Sequence, residues 1–159
     1  MIAEIQRQGS GGTARFERHL KHPVDSVWAY LTENDKLASW FPELRVDSLR
    51  EGGVILFDMQ NGTYETMTIL DMVLHAVLEY TWDKDKVRFE LSPEQDGTRL
   101  VLIETISEWT DHTPRDLAGW HVCLDVIEAL LDGRTIESRK DRWNIWYKQY
   151  VEAGERARG

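Results

Sequence analysis

Cysteine is nearly absent from this 159-residue chain, in which Cys123 is the only one. A single cysteine can form neither an intramolecular disulfide nor a cysteine-based zinc site, so both are excluded. Long apolar runs are missing too, because no stretch approaches the ~18–20 residues that a membrane span needs. The first eight residues contain no apolar segment of the kind that a secretory signal requires, so the expected location is the cytoplasm.

Basic residues are fewer than acidic residues. The chain has 19 Lys and Arg against 28 Asp and Glu, a net charge of −9. Nucleic-acid binding needs clustered basic residues that neutralise phosphates, so no nucleic-acid partner is expected. The charge is uneven: residues 134–159 carry +3, whereas residues 1–133 carry −12. A helix face that docks on its own domain explains this basic tail better than an arm seeking an outside partner.

Signatures of cofactor and metal chemistry are missing as well. The sequence contains no phosphate loop, no dinucleotide fingerprint, no His-Glu-x-x-His and no Gly-x-Ser-x-Gly. His19 and His22 are three residues apart, but no third ligand is near them in sequence. We therefore predict no cofactor and no metal, and we assign no catalytic residue.

What the chain does have is enough apolar sequence for one globular domain and an unusual number of tryptophans. It is 42% hydrophobic and 30% charged, and its seven tryptophans are spread along the whole length. Large aromatic side chains either fill a core or line an apolar cavity, and composition does not separate these two alternatives.

Hydrophobic periodicity predicts three segments. Residues 1–12 end in a glycine-rich run and are expected to be a flexible lead-in; 13–133 form the domain; and 134–159 form a tail helix. Within the domain, one strand and two short helices precede residues 43–108, where the period is two. Tight turns such as Asn61-Gly62 divide that region into five or six strands, which predicts an antiparallel meander. A long amphipathic helix is predicted over about 114–132, and a tail helix over 139–153.

This order predicts an α+β helix-grip fold. An antiparallel sheet must bury one face, and the long C-terminal helix is the only element large enough to cover it. We therefore expect a curved sheet wrapped around that helix, with an apolar cavity between them. Val101 and Ile103 make the other sheet face partly apolar as well. Either the tail helix or a second copy of the chain would cover that face, so a homodimer is one of the two alternatives.

Several segments, taken in order, resemble one family. These are Phe16–Leu20, Leu37–Phe41, Leu78–Trp82, Gly97–Leu100 and Gly119-Trp120. Together they resemble the activator-of-heat-shock-ATPase-like branch of the SRPBCC (START-like) superfamily, over about residues 13–133. One departure is that Leu74-His75 stands where members usually carry Pro-Pro. The resemblance implies the START-like, birch-allergen-like helix-grip fold. It also implies either binding of a small apolar or aromatic ligand, as in several bacterial members, or a co-chaperone role toward a heat-shock chaperone.

Alternation along the strands nominates the residues of the predicted cavity. Leu102 and Glu104 share a face of the last strand, so a carboxylate points among apolar side chains and needs a partner or a raised pKa. His121 lies one helical turn before Asp125. A histidine that is oriented by a carboxylate in this way is able to act as a general base. The predicted ligand-cavity residues are Trp40, Phe57, Tyr80, Trp82, Phe89, Leu102, Glu104, Trp120 and His121.

Three functions follow, in order of preference. The first is non-enzymatic binding of a small apolar or aromatic molecule in the cavity. The second is a protein-interaction module that acts on a chaperone. The third is an enzyme that uses His121 or Glu104 on a bound apolar substrate.

Overall fold

The computed structural model describes residues 1–158 and contains eight strands and four helices. The elements are β1 (Glu4–Gln8), β2 (Gly11–Leu20), α1 (Val24–Thr32), α2 (Asn34–Trp40), β3 (Leu44–Val46), β4 (Val54–Asp58), β5 (Tyr64–Val73), β6 (Val77–Trp82), β7 (Asp85–Glu94), β8 (Gly97–Ile106), α3 (Thr113–Leu131) and α4 (Arg139–Ala157).

All eight strands belong to one antiparallel sheet in the order β1-β2-β8-β7-β6-β5-β4-β3. Strands β3 to β8 follow one another as neighbours, which confirms the predicted meander, and β2 pairs with the last of them. The α+β fold class is the one predicted, and the element order is that of the helix-grip fold. No helix within residues 1–158 is both long and apolar enough to cross a membrane.

The chain forms two compact units. Unit 1 contains residues 1–16 and the residues from 103 onward, and unit 2 contains residues 17–102. This division runs through β2 and β8, and the predicted segments 13–133 and 134–159 stay a prediction.

Unit 2 is held together by side chains that connect neighbouring strands and helices. Asn34 at the start of α2 donates its side-chain N–H to the Val46 carbonyl at 3.0 Å and accepts the Val46 N–H at 2.7 Å, which ties α2 to β3. Gly97 starts β8 with φ +155°, and a Cβ there would lie 1.9 Å from the Leu20 carbonyl oxygen. Only glycine therefore allows the β7–β8 turn to approach the end of β2 so closely.

Arg88 on β7 is the centre of an ionic network on unit 2. It contacts Glu90 at 2.7 Å, Asp71 of β5 at 3.0 Å and Glu79 of β6 at 3.8 Å. The hydrogen bond to Glu90 and the other carboxylates raise the pKa of the Arg88 guanidinium above its ordinary value. Since these partners lie on three adjacent strands, the network favours one register of β5, β6 and β7.

Unit 1 is built mainly from α3 and α4. Twelve of the nineteen residues of α3 are buried, whereas α4 buries only Tyr150, Ala153 and Gly154. Helix α4 begins as predicted, since the Ser138 side chain accepts the Asp141 N–H, and it extends four residues beyond the predicted end. Helix α3 begins at Thr113, one residue before the predicted start. Its N-cap is His112, and the Thr113 hydroxyl accepts the N–H of Thr110 at 3.0 Å.

The expectation of a flexible lead-in over residues 1–12 is wrong for residues 4–8. They form β1, which pairs with β2 from Glu4 opposite Arg15 to Gln8 opposite Gly11. The segment was missed because Ile5 is its only large apolar residue, so alternation gives no signal. The glycine-rich run is a hairpin turn in which Gly9 has φ +61°.

Candidate functional site

Unit 2 contains an aromatic cluster, which consists of Trp40, Phe41, Phe57, Tyr80, Trp82 and Phe89. Its centre is a triangle of rings from three elements: Phe41 after α2, Phe57 on β4 and Trp82 on β6. Their ring centroids are 5.6–6.0 Å apart with interplanar angles of 67–81°. This edge-to-face arrangement is the favoured geometry for aromatic pairs.

The aromatic cluster is buried on one side and accessible on the other. Trp40, Tyr80 and Phe89 are no more than 2% exposed, whereas the three rings of the triangle are only partly buried. The Trp40 indole N–H donates to the Tyr30 carbonyl at 2.7 Å, which fixes that ring. The cluster thus presents a rigid apolar surface that is partly open.

Five of the predicted cavity residues therefore meet in unit 2 through ring contacts: Trp40, Phe57, Tyr80, Trp82 and Phe89. Phe41 was missed, although it contacts three of these rings. Its position directly after Trp40 and before Pro42 was the available signal, because proline ends the helix and lets the next ring turn toward β4.

Alternation along β8 places the buried carboxylate as predicted. Leu100, Leu102, Glu104 and Ile106 are all at most 3% exposed, and Glu104 is completely buried. Glu104 therefore does not lie at a solvent-exposed position. A fully buried carboxyl group is stable only as the neutral acid or with a compensating partner.

His121 on α3 belongs to a buried polar network of unit 1. Its Nδ1 lies 2.7 Å from the Tyr150 hydroxyl, and its ring stacks on Trp146 of α4 with centroids 3.9 Å apart. The Tyr150 oxygen also accepts the backbone N–H of Ala3 at 2.9 Å. The Tyr150 oxygen therefore links the N-terminal segment to the imidazole on α3.

The other ring nitrogen of His121, Nε2, lies 3.9 Å from Asp125 Oδ1. Asp125 also accepts the Trp146 indole N–H at 3.3 Å and lies 3.5 Å from Arg142. His121 thus connects the N-terminal segment, α3 and α4. A role for Trp120, Glu104 and His121 in ligand binding stays a prediction.

His19 lies on the exposed surface between two carboxylates. Glu94 is 2.9 Å from its Nδ1 and Glu17 is 3.0 Å from its Nε2. These hydrogen bonds, with that to Glu94 the larger cause, raise the pKa of His19 above its ordinary value. Among residues 1–158 no group of three or more His, Cys, Asp or Glu side chains is placed to hold a metal ion.

A family model described as "Activator of Hsp90 ATPase homolog 1-like protein" matches residues 21–132. No curated protein matches the sequence.

Several solved structures resemble the chain along most of its length. A conserved protein of unknown function from Enterococcus faecalis is 28% identical, with a TM-score of 0.86 over 98% of this chain and 91% of that one. CalU16 from Micromonospora echinospora is 22% identical, with a TM-score of 0.75 over 95% and 96% of the two chains. A Bordetella parapertussis protein is 24% identical, with a TM-score of 0.70 over 91% and 86%. At 22% and 24% identity, the latter two structures show only that their fold is shared with this chain.

Proposed function

The chain belongs to the activator of Hsp90 ATPase homolog 1-like family, and from that premise we propose that it binds a small apolar or aromatic molecule without chemically changing it. The observation that carries this proposal is the aromatic cluster of unit 2. Its rings make specific contacts with one another, yet Phe41, Phe57 and Trp82 keep part of their surface accessible.

Physical chemistry supports an apolar or aromatic ligand. Small-molecule sites are lined mainly by aromatic and aliphatic side chains with few polar groups. A planar ligand can add further edge-to-face or offset contacts to rings already held in place, at little cost in side-chain entropy. Trp40, Tyr80 and Phe89 support the accessible rings from the buried side.

A neutral fluorescent probe, N-phenyl-1-naphthylamine, tests the proposal. We expect saturable binding to the full chain, detected as energy transfer from tryptophan to the probe. Phe57→Ala removes one ring of the triangle and should weaken binding by up to about tenfold, since losing an aromatic contact costs roughly 0.5–1.5 kcal/mol. Leu74→Ala is the matched control because Leu74 lies in the same unit and is 63% exposed; it should leave binding unchanged.

Absence of probe binding, or equal binding by wild type and Phe57→Ala, would contradict ligand binding at the aromatic cluster. The second candidate, a co-chaperone-like interaction module, would then be preferred. Exposed apolar side chains on and after β5 favour it, since Leu70, Val73 and Leu74 are 39%, 50% and 63% exposed.

A further inference from the structure

Unit 1 carries a groove of about 640 Å³, and none of the residues that line it belongs to the aromatic cluster. One face of α4 forms its floor, because Tyr147, Val151, Gly154 and Arg158 recur at helical spacing. Arg7 of β1 and the segment from Trp109 to Arg115 form its walls. Its volume falls in the range of ~300–1,000 Å³ that is typical of small-molecule sites.

Two guanidinium groups of the groove lie over aromatic rings. Arg7 Cζ is 4.7 Å from the centroid of the Trp109 ring, and Arg115 Cζ is 5.3 Å from that of Tyr147. In the part of the chain that the structure describes, neither arginine forms an ion pair with a carboxylate. Stacking on a ring holds a guanidinium in place while its N–H edge stays able to bind a planar anion.

The Trp109 ring is held in place before any ligand binds. The Trp109 backbone N–H donates to the Ser10 carbonyl at 2.6 Å, and the indole lies against Gly154 of α4. A Cβ at position 154 would come within 2.6 Å of Trp109 Cζ2, so glycine is what allows this contact. Arg7 also donates to the Gly154 carbonyl at 3.5 Å.

The opposite ring is held in the same way. Tyr147 stacks on Trp143 with centroids 5.0 Å apart and an interplanar angle of 10°. The Trp143 indole N–H donates to the Arg115 carbonyl at 3.2 Å. Each of the two fixed aromatic rings therefore has a guanidinium group over it, which is preorganisation for a ligand with one ring and one anionic group.

The net charge of the groove favours a ligand with one negative charge. Arg7, Arg115 and Arg158 oppose Asp111 and Glu155, which leaves one net positive charge in a molecule of net charge −9. A single excess positive charge complements a monoanion, whereas Asp111 and Glu155 would repel a polyanion. A planar carboxylate also matches the bidentate donor geometry of arginine.

We propose that this groove is a binding site for a small aromatic carboxylate, whose ring contacts Trp109 and Tyr147 and whose carboxylate is bound by Arg7 and Arg115. Arg158 contributes positive charge at the end of α4.

Calorimetric titration of the full chain with naphthalene-2-carboxylate tests this site, with the neutral 2-naphthamide as the matched ligand. We expect saturable binding of the carboxylate and about tenfold weaker binding of the amide, because the charge-assisted hydrogen bonds are lost. Arg7→Gln and Arg115→Gln should each weaken carboxylate binding by a similar factor. Arg45→Gln removes the same charge from an exposed position on β3 and should have no effect.

A second measurement needs only the wild-type protein. In an NMR titration with naphthalene-2-carboxylate, the indole N–H signal of Trp109 should shift and that of Trp82 should not. Equal affinity for acid and amide, unchanged binding in both arginine variants, or shifts at Trp82 in place of Trp109 would overturn the proposal. Phe57→Ala should leave carboxylate binding intact, so this site and the aromatic cluster can fail separately.

Discussion

At the scale of single residues, the Tyr150 hydroxyl joins three parts of unit 1. It accepts the N–H of Ala3, hydrogen-bonds to His121 of α3, and belongs to α4. Tyr150 is 0% exposed and His121 is 1% exposed, so water cannot replace either bond easily. The penalty for losing the hydroxyl is therefore the desolvation of the groups left behind.

Tyr150→Phe should lower the free energy of unfolding by about 1–3 kcal/mol, because it removes the buried hydroxyl that hydrogen-bonds to the Ala3 N–H and to His121 Nδ1. Chemical denaturation measures the change. Tyr147→Phe is the control, because Tyr147 is on the same helix and its hydroxyl makes no hydrogen bond within residues 1–158. We expect this variant to change the free energy of unfolding by no more than ~0.5 kcal/mol. Equal losses in the two variants would show that the network adds nothing to stability.

Predictions for single residues succeeded where one periodicity determines which side chains are buried. The period of two along β8 placed Glu104 on the same face as Leu100, Leu102 and Ile106, and all four are buried. It failed for His121, where the helical period revealed Asp125 but not the partners from distant segments. Tyr150 is 29 positions away and Phe16 more than 100, so no local pattern contains them.

At the scale of elements, α3 is the most deeply buried helix. Leu117, Ala118 and Ile127 are 0% exposed, and Trp120 is 2% exposed. Helix α4 is different: Trp143, Trp146 and Tyr147 are only partly buried, with Trp146 stacked on His121 and Trp143 stacked on Tyr147. The contribution of a tryptophan to stability should therefore depend on which helix carries it.

Trp120→Ala should cost about 3–5 kcal/mol, the amount expected for deleting a large buried aromatic side chain. Trp143→Ala on α4 should cost clearly less, since that ring is partly solvated in the folded protein. Urea denaturation of both variants provides the comparison. A loss below ~1 kcal/mol for Trp120→Ala would mean that the ring adds little to the packing of the core.

At the scale of the whole molecule, charge limits the partners. The net charge of −9 repels phosphate backbones over most of the chain, although residues 134–159 carry +3. We expect no shift of duplex DNA in a gel assay near physiological salt, because nonspecific binding needs several basic contacts with phosphates. Sub-micromolar, salt-sensitive binding would contradict this expectation and would indicate that the tail acts as a basic arm.

Local patterns in the sequence were sufficient to predict the fold class, the meander and the long helix. Each depends on the alternation of apolar and polar residues within a segment, which decides what a strand or helix can bury. It also nominated the five rings that meet in unit 2, because they stand at apolar positions of neighbouring segments.

The roles of the polar residues and of the residues at the sheet edge depend instead on tertiary contacts. Strand β1 has almost no apolar pattern and exists because β2 supplies hydrogen-bond partners. The groove likewise combines Arg7, Trp109, Arg115 and Tyr147, which have no common periodicity and lie up to 140 positions apart. Hydrogen bonds and cation–π contacts are short-range and directional, so they depend on which distant segments come together, and that information is not contained in any local pattern.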